Sequence, residues 1–336
     1  MKLFQSIFGI GDSRGRYPES LIDEAIERAV AATDTRLRVL PGYRKALREP
    51  AIHAIDHVIA LVEAIPAPLP AGSRAFQDEP RLAALFASPQ EMLDLFSRNA
   101  ALADLLASTE GVGTERVTAL LLAERTERTI LGVDLVNDMV RSDVPQVSVS
   151  FTGHRLLDPK ANEGETRRHL RRRAFDHLLT VALTRIAESG AERADLARQR
   201  DLLRRKLTAL EHGGWTFEPA QSEPANLGDL LLELDAVEEQ IKALGPNTKV
   251  LEAHREILAA VLGEAERHLW AEDITLYLDA MNIQREAQYP SVRRVVLQEL
   301  RNSRGQRAVM LPLALAPIEV PPREDLVAAA ERYLNC

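Results

Sequence analysis

Leucine-type residues recur at Leu227, Leu230, Leu234, Val237, Ile241 and Leu244, and that alternation of threes and fours leaves few folds open to the chain. A period near 3.5 residues sets all six on one flank of an α-helix, and such a flank is stable in water only when another helix covers it. The preceding segment offers Leu196, Leu203, Leu207 and Leu210 as cover, so the sequence predicts an antiparallel coiled-coil hairpin connected by residues 212–225. Upstream, Asn162 followed three residues on by Glu165 is a helix-capping pattern, and Phe175, Leu179, Ala182 and Ile186 then share a face. One helix is therefore expected from 162 to about 210. It crosses Gly190 at a cost of about 1 kcal/mol and spans roughly 70 Å. Gly245-Pro246-Asn247 stops the partner helix, and another helix is expected over 248–270.

The flanking regions read differently. Ile22, Ala25, Ile26, Ala29 and Val30 form the stripe of a first helix, and Ile52, Ile55, Ile59 and Val62 that of a second. Pro66-Ala67-Pro68-Leu69-Pro70 follows as a stiff extended linker. Short helices are expected over 80–86 and 89–106. Then the period falls to two: 119–123 and 129–135 read as a hairpin about the polar turn 125–128, with a helix over 114–125 as the competing reading. Strand patterns recur at 147–151, 274–278, 294–300 and 309–315, with Ser303-Arg304-Gly305 as a turn and Pro312 marking an edge or bulged strand. A helix over 324–334 closes the chain.

The expected fold class is α+β and predominantly helical. It comprises a small antiparallel sheet with an inserted long helical (coiled-coil) hairpin, and an N-terminal helical region. The domains are an apolar lead-in (1–17), a helical domain (18–108), a sheet domain (109–160 with 271–336) and the inserted arm (161–270).

Composition narrows the function classes. With 46% hydrophobic and only 4% aromatic residues, the core is built from aliphatic side chains. A net charge of −8 opposes whole-chain attraction to nucleic acid or anionic lipid. Arginine outnumbers lysine, as is common in GC-rich bacterial genomes. The single cysteine, Cys336, forbids an internal disulfide and favours the cytoplasm. No run approaches the ~18–20 apolar residues of a membrane helix. Leu3, Phe4, Ile7 and Phe8 make one amphipathic turn at most.

Three constellations carry potential chemistry. His53 and His57, four apart on a helix, can reach one metal ion, with Asp56 between them. The His-x-x-Glu-His zinc pattern has glutamate where this chain has aspartate, and no third ligand is evident. Arg168, Arg171 and Arg172, within the basic run 167–173, and Arg294 and Arg301 near Arg293, Arg304 and Arg307, are the anion-binding candidates. Ion pairing with the many acids is the plainer account of them. His154 with Asp158 suggests an acid–base pair just past a strand, although a turn capped by Asp158 explains the pattern as well. Gly9, Gly11 and Gly15 lack a Walker lysine–serine pair, and Asp134, Asp138 and Asp143 are not spaced as a calcium loop. No cofactor is expected. The leading expectation is a non-enzymatic cytoplasmic scaffold whose seam binds a protein partner or a second copy as a homodimer. Nucleic-acid or nucleotide binding and a metal-dependent hydrolase are the alternatives.

Overall fold

Six of the strands close on themselves. In the computed structural model, which describes residues 17–111, 113–136, 139–211, 227–243 and 247–321, β2 (Val117–Val136), β3 (Met139–Lys160), β5 (Ile283–Gln284), β4 (Leu269–Leu278), β6 (Arg293–Asn302) and β7 (Arg307–Leu315) pair in that order, and β7 returns to β2. All these pairings are antiparallel. A seventh strand, β1 (Leu69–Ala71), runs parallel beside β7. The expected small antiparallel sheet is thus corrected to a closed barrel. Closure depends on β2 meeting β7 and β6 meeting β7, and no local pattern announces a pairing between residues 123 and 309.

The chain divides into two compact units, the first comprising residues 57–174 with the segment from 266 on, the second residues 12–56 and 175–265. The boundary falls inside α2 (Tyr43–Glu63) and inside α7 (Glu163–Glu211). In the first unit, alternate residues of the strands fill the barrel: Ala119, Leu121 and Ala123 from β2, Val295 and Leu297 from β6, Val309, Leu311 and Leu313 from β7. Of four short helices, α3 (Ser73–Asp78) packs Ala75 and Phe76 against the same core, while α4 (Pro80–Leu85), α5 (Pro89–Arg98) and α6 (Ala100–Ala107), with Phe86 at the end of α4, bury Leu82, Phe86, Met92, Phe96 and Leu102 in it. Their ends are set by local chemistry. Pro89 occupies a first-turn position of α5, and Ser88 Oγ accepts from the Glu91 N–H while Glu91 accepts from the Ala87 N–H. Asn99 ends α5 and caps α6, so the one helix expected over 89–106 is two. The proline linker is likewise more than a linker, since it contains β1. Pro312 sits in β7 where β6 pairing ends at Met310 and β1 pairing begins at Leu313, so its missing N–H leaves no neighbour unserved.

The expected hairpin about 125–128 is instead one strand of 20 residues, β2, paired with the 22 residues of β3. Three register shifts separate them, at Thr118/Leu120, Leu122/Glu124 and Gly132/Asp134. Each sets an extra residue on β3. The left-handed backbones of Asp158, Gly153 and Asp143 lie at these places, as in β-bulges. The bulges hide the strand from a period-two reading: each throws the following side chains onto the other face, so 152–158 looks like a turn.

The second unit is helical. α1 (Glu19–Ala32) buries Ile22, Ile26, Ala29 and Val30, as its stripe predicts. A 3-10 turn (Thr35–Val39) follows, started by Asp34. α7 contributes Phe175, Leu178, Leu179, Ala182 and Ile186, and α9 (Asn247–Gly263) contributes Leu258, Val261 and Leu262 to buried positions. Arg28 holds Asp176 with two guanidinium bonds, and His254 Nδ1 meets Asp34 at 2.8 Å. α9 ends at Gly263, short of the expected 270, because Leu269 and Trp270 already belong to β4. The connection 212–225, the helix expected over 324–334 and nearly all of the lead-in lie outside the described residues.

Candidate interaction surface

Among the described residues, His57, Asp56, His154, Asp158, Arg168, Arg171 and Arg301 each have a structural partner. His57 Nε2 donates to the Leu269 carbonyl at 2.7 Å, and Asp56 accepts the Tyr17 hydroxyl at 2.6 Å. No group of three histidine, cysteine, aspartate or glutamate side chains able to hold a metal occurs among the described residues. His154 and Asp158 are engaged separately. Nε2 of His154 donates to the Leu85 carbonyl at the end of α4, and the ring stacks on Phe86 at 4.6 Å. Burial holds this imidazole below its ordinary pKa, against the opposite pull of the Leu85 carbonyl and Glu91. Asp158 takes both forks of Arg173, at 2.8 and 2.9 Å. A cleft of about 490 Å³ opens beside His154, lined by Glu91, Asp94 and Arg98 among others.

The arginines of α7 meet protein acceptors. Arg167 donates to the carbonyls of Val62, Ile65 and Pro66, closing the exposed end of α2. Arg168 bonds Glu165 at 2.6 Å, Arg171 lies 3.5 Å from Glu63, and Arg172 is exposed. Arg294 is exposed on β6. Arg301 reaches Glu299 at 2.7 Å and Glu272 at 2.9 Å. Glu299 is fully buried, and Arg125 donates to its other oxygen at 2.9 Å. Burial pushes this carboxyl up, yet Arg125 and Arg301 together hold it below its ordinary value. The Arg125–Glu299 pair had no sequence signal, because 125–128 reads as a polar turn.

The seam is partly visible. Leu230 and Val237 of α8 (Leu227–Ala243) are buried together with Leu203 and Leu207 of α7, and Leu196 and Leu234 pack against them. Gln199 bonds Glu233, and Arg204 bonds Glu238 at 2.6 Å across the same two helices. Leu244 and the side chains of Leu227 and Ile241 lie outside the described residues.

What the sequence reading missed is the outer half of the β2–β3 ribbon. β2 leaves β7 after Ala123, and β3 is flanked by β5 only at Val147 and Ser148. Beyond those points the two strands pair with each other alone among the described residues. Here Leu131 is 68% exposed, Val133 63% and Ile130 40%. A two-stranded ribbon is marginal by itself in water, and exposed aliphatic residues on an open edge invite a further strand. Gln146 lies across Gly132, in the space that a Cβ on residue 132 would need, and donates to the Val133 carbonyl, bracing the ribbon.

No family model, no curated protein and no solved structure matches this chain. Among the described residues no helix is long and apolar enough to cross a membrane.

Proposed function

We propose that this chain is a non-enzymatic assembly protein of the cytoplasm, a filled barrel that carries elements through which it joins other chains. One observation carries the reading: Leu131 and Val133 stand mostly in solvent on a strand pair whose outer edges have no ladder partner among the described residues. Exposed leucine and valine on a free strand edge form an aggregation hazard unless a partner uses them. The helical pair α7–α8 is the second such element, with Leu202, Leu231 and Leu232 exposed around its buried cluster. The placement of the sequence-singled polar residues supports the same reading, since His154, Asp158, Arg167, Arg168 and Arg301 each serve a helix end or an ion pair and His57 binds the first carbonyl of β4.

The test measures the size of the chain's assembly in host-cell extract by gel filtration with cross-linking. Wild-type protein is expected above the monomer mass. Leu131→Lys with Val133→Lys, or Leu202→Glu with Leu232→Glu, is expected to return it to the monomer without loss of helical signal. A wild-type chain that runs as a monomer in extract at its native level refutes the proposal.

A further inference from the structure

We infer that the open edge of β2 pairs with the same edge of a second copy, antiparallel and about a two-fold axis at Leu131. The inference rests on the assembly reading above and names its partner.

The argument starts at a proline. Leu131 is registered opposite Pro145, Ile130 opposite Gln146 and Gly132 opposite Val144. In an antiparallel pair, opposed residues alternate between those that exchange both backbone bonds and those that exchange none. Pro145 has no N–H to give, so Leu131 and Pro145 form a pair of the second kind. Both therefore turn their backbone polar groups away from each other. For β3 this means that its outer edge lacks a donor at 145, and the bulge at Asp143 distorts it further. For β2 it means that Leu131 aims both its N–H and its C=O outwards, as Thr129 and Val133 do two residues to either side.

An independent proline gives the same assignment. Pro312 is registered opposite Leu120, so Leu120 likewise faces β3, and Ala119, Leu121 and Ala123 face β7. The register shifts add residues to β3 and none to β2, so odd-numbered residues of β2 keep one side along its length. The edge at 129–133, which has no ladder partner among the described residues, is thus a continuation of the edge that already accepts β7.

That edge is complementary to itself. With the axis at Leu131, Leu131 pairs with its own equivalent through two N–H···O bonds, and Thr129 pairs with the second copy's Val133, whose carbonyl accepts the Thr129 N–H on its second lone pair beside the Gln146 amide it already holds. Ile130 falls opposite Gly132, large against small. A shift of one residue either way sets outward-facing backbone against inward-facing backbone; a shift of two lays Glu127 against the aliphatic Val133 in one direction and Asp134 against Ile130 in the other, and desolvates a charge. One register is therefore favoured over its neighbours, as an isologous interface requires. Pro145 blocks the alternative edge.

The test uses the full chain with Cys336→Ser. Leu131→Cys sets two thiols opposite each other across the axis, within the Cα separation a disulfide accepts. It is expected to form a cross-linked dimer under mild oxidation at least on the order of tenfold faster than Val39→Cys, a control residue 78% exposed elsewhere on the molecule. Thr129→Pro removes a donor aimed at the partner but none from the β2–β3 ladder. It is expected to weaken dimerisation, read by sedimentation, by on the order of tenfold or more, with the far-UV circular dichroism of the folded chain unchanged. If Leu131→Cys cross-links no faster than Val39→Cys, or Thr129→Pro dimerises like wild type, self-pairing is overturned. Should wild type still enter a larger assembly in extract, that failure belongs to self-pairing alone; a monomer in extract sinks both.

Discussion

Replacing Arg125 with methionine tests how the charged end of the barrel is held. Glu299 is fully buried and receives Arg125 on one oxygen and Arg301 on the other. Removing one member of a buried ion pair costs about 3–5 kcal/mol, because a desolvated charge is left behind. Here Arg301 remains to hold the carboxylate, so the loss is nearer that of one charged hydrogen bond, about 2–3 kcal/mol. Arg125→Met with Glu299→Leu removes both charges, and Arg301 keeps Glu272 as its partner. The double variant is therefore expected to regain about 1.5 kcal/mol or more relative to the sum of the single changes. Urea denaturation suits the measurement, followed by the fluorescence of Trp270, which is registered opposite Arg301 on β6. The sign with pH is also fixed. The folded Glu299 carboxyl titrates below its ordinary value of 4.5, so its contribution is complete above that pH and disappears as pH falls through the lower folded value. Full additivity of the two substitutions, or an Arg125→Met cost under about 1 kcal/mol, would refute the reasoning.

Other outcomes follow from the same physical rules. Arg167→Met strips three carbonyls at the end of α2 of their donor, and amide exchange in its last turn should quicken by on the order of tenfold. Leu207→Ala opens a cavity in the α7–α8 cluster, costing about 2–4 kcal/mol locally; exchange in α8 should rise while the barrel strands stay protected. Asp34 is held well below the usual carboxylate range, first by Arg36 and further by His254, despite burial. Its stabilisation is present above pH 3.8 and is lost on acidification, so an acid titration of Asp34→Asn should be flatter than that of wild type.

The helices were largely legible because their information is local. Ile22, Ile26 and Val30 share a face within one element, and Asn162, which accepts from the Gly164 N–H, marks a start within one turn. The barrel was legible only in pieces. Residues 309–315 are a continuous apolar run that suits a buried strand, but nothing in them states that Leu121 will lie alongside. The three bulges of β3 erase the alternation that would have joined 147–151 to 152–160. The candidate surface was the least visible part. Leu131 and Val133 look like core residues in a sequence, and only the point where β7 ends shows them to be outside. The polar candidates misled for the opposite reason: Arg167 and His154 have the chemistry of ligand binding, and their carbonyl partners come from segments remote in sequence.

Closure of the barrel also sets an order of events during synthesis. Ala123 leaves the ribosome long before Val309, its neighbour across the seam. At the usual ~5–20 residues per second the interval is about 10–40 s. Throughout that time the whole length of β2, not merely its outer half, is an unprotected edge, while the helices translated in between have their partners at hand. A nascent chain of this protein is thus most vulnerable to wrong pairing just before its last strand emerges, and a slowed ribosome at that stage would lengthen the exposure.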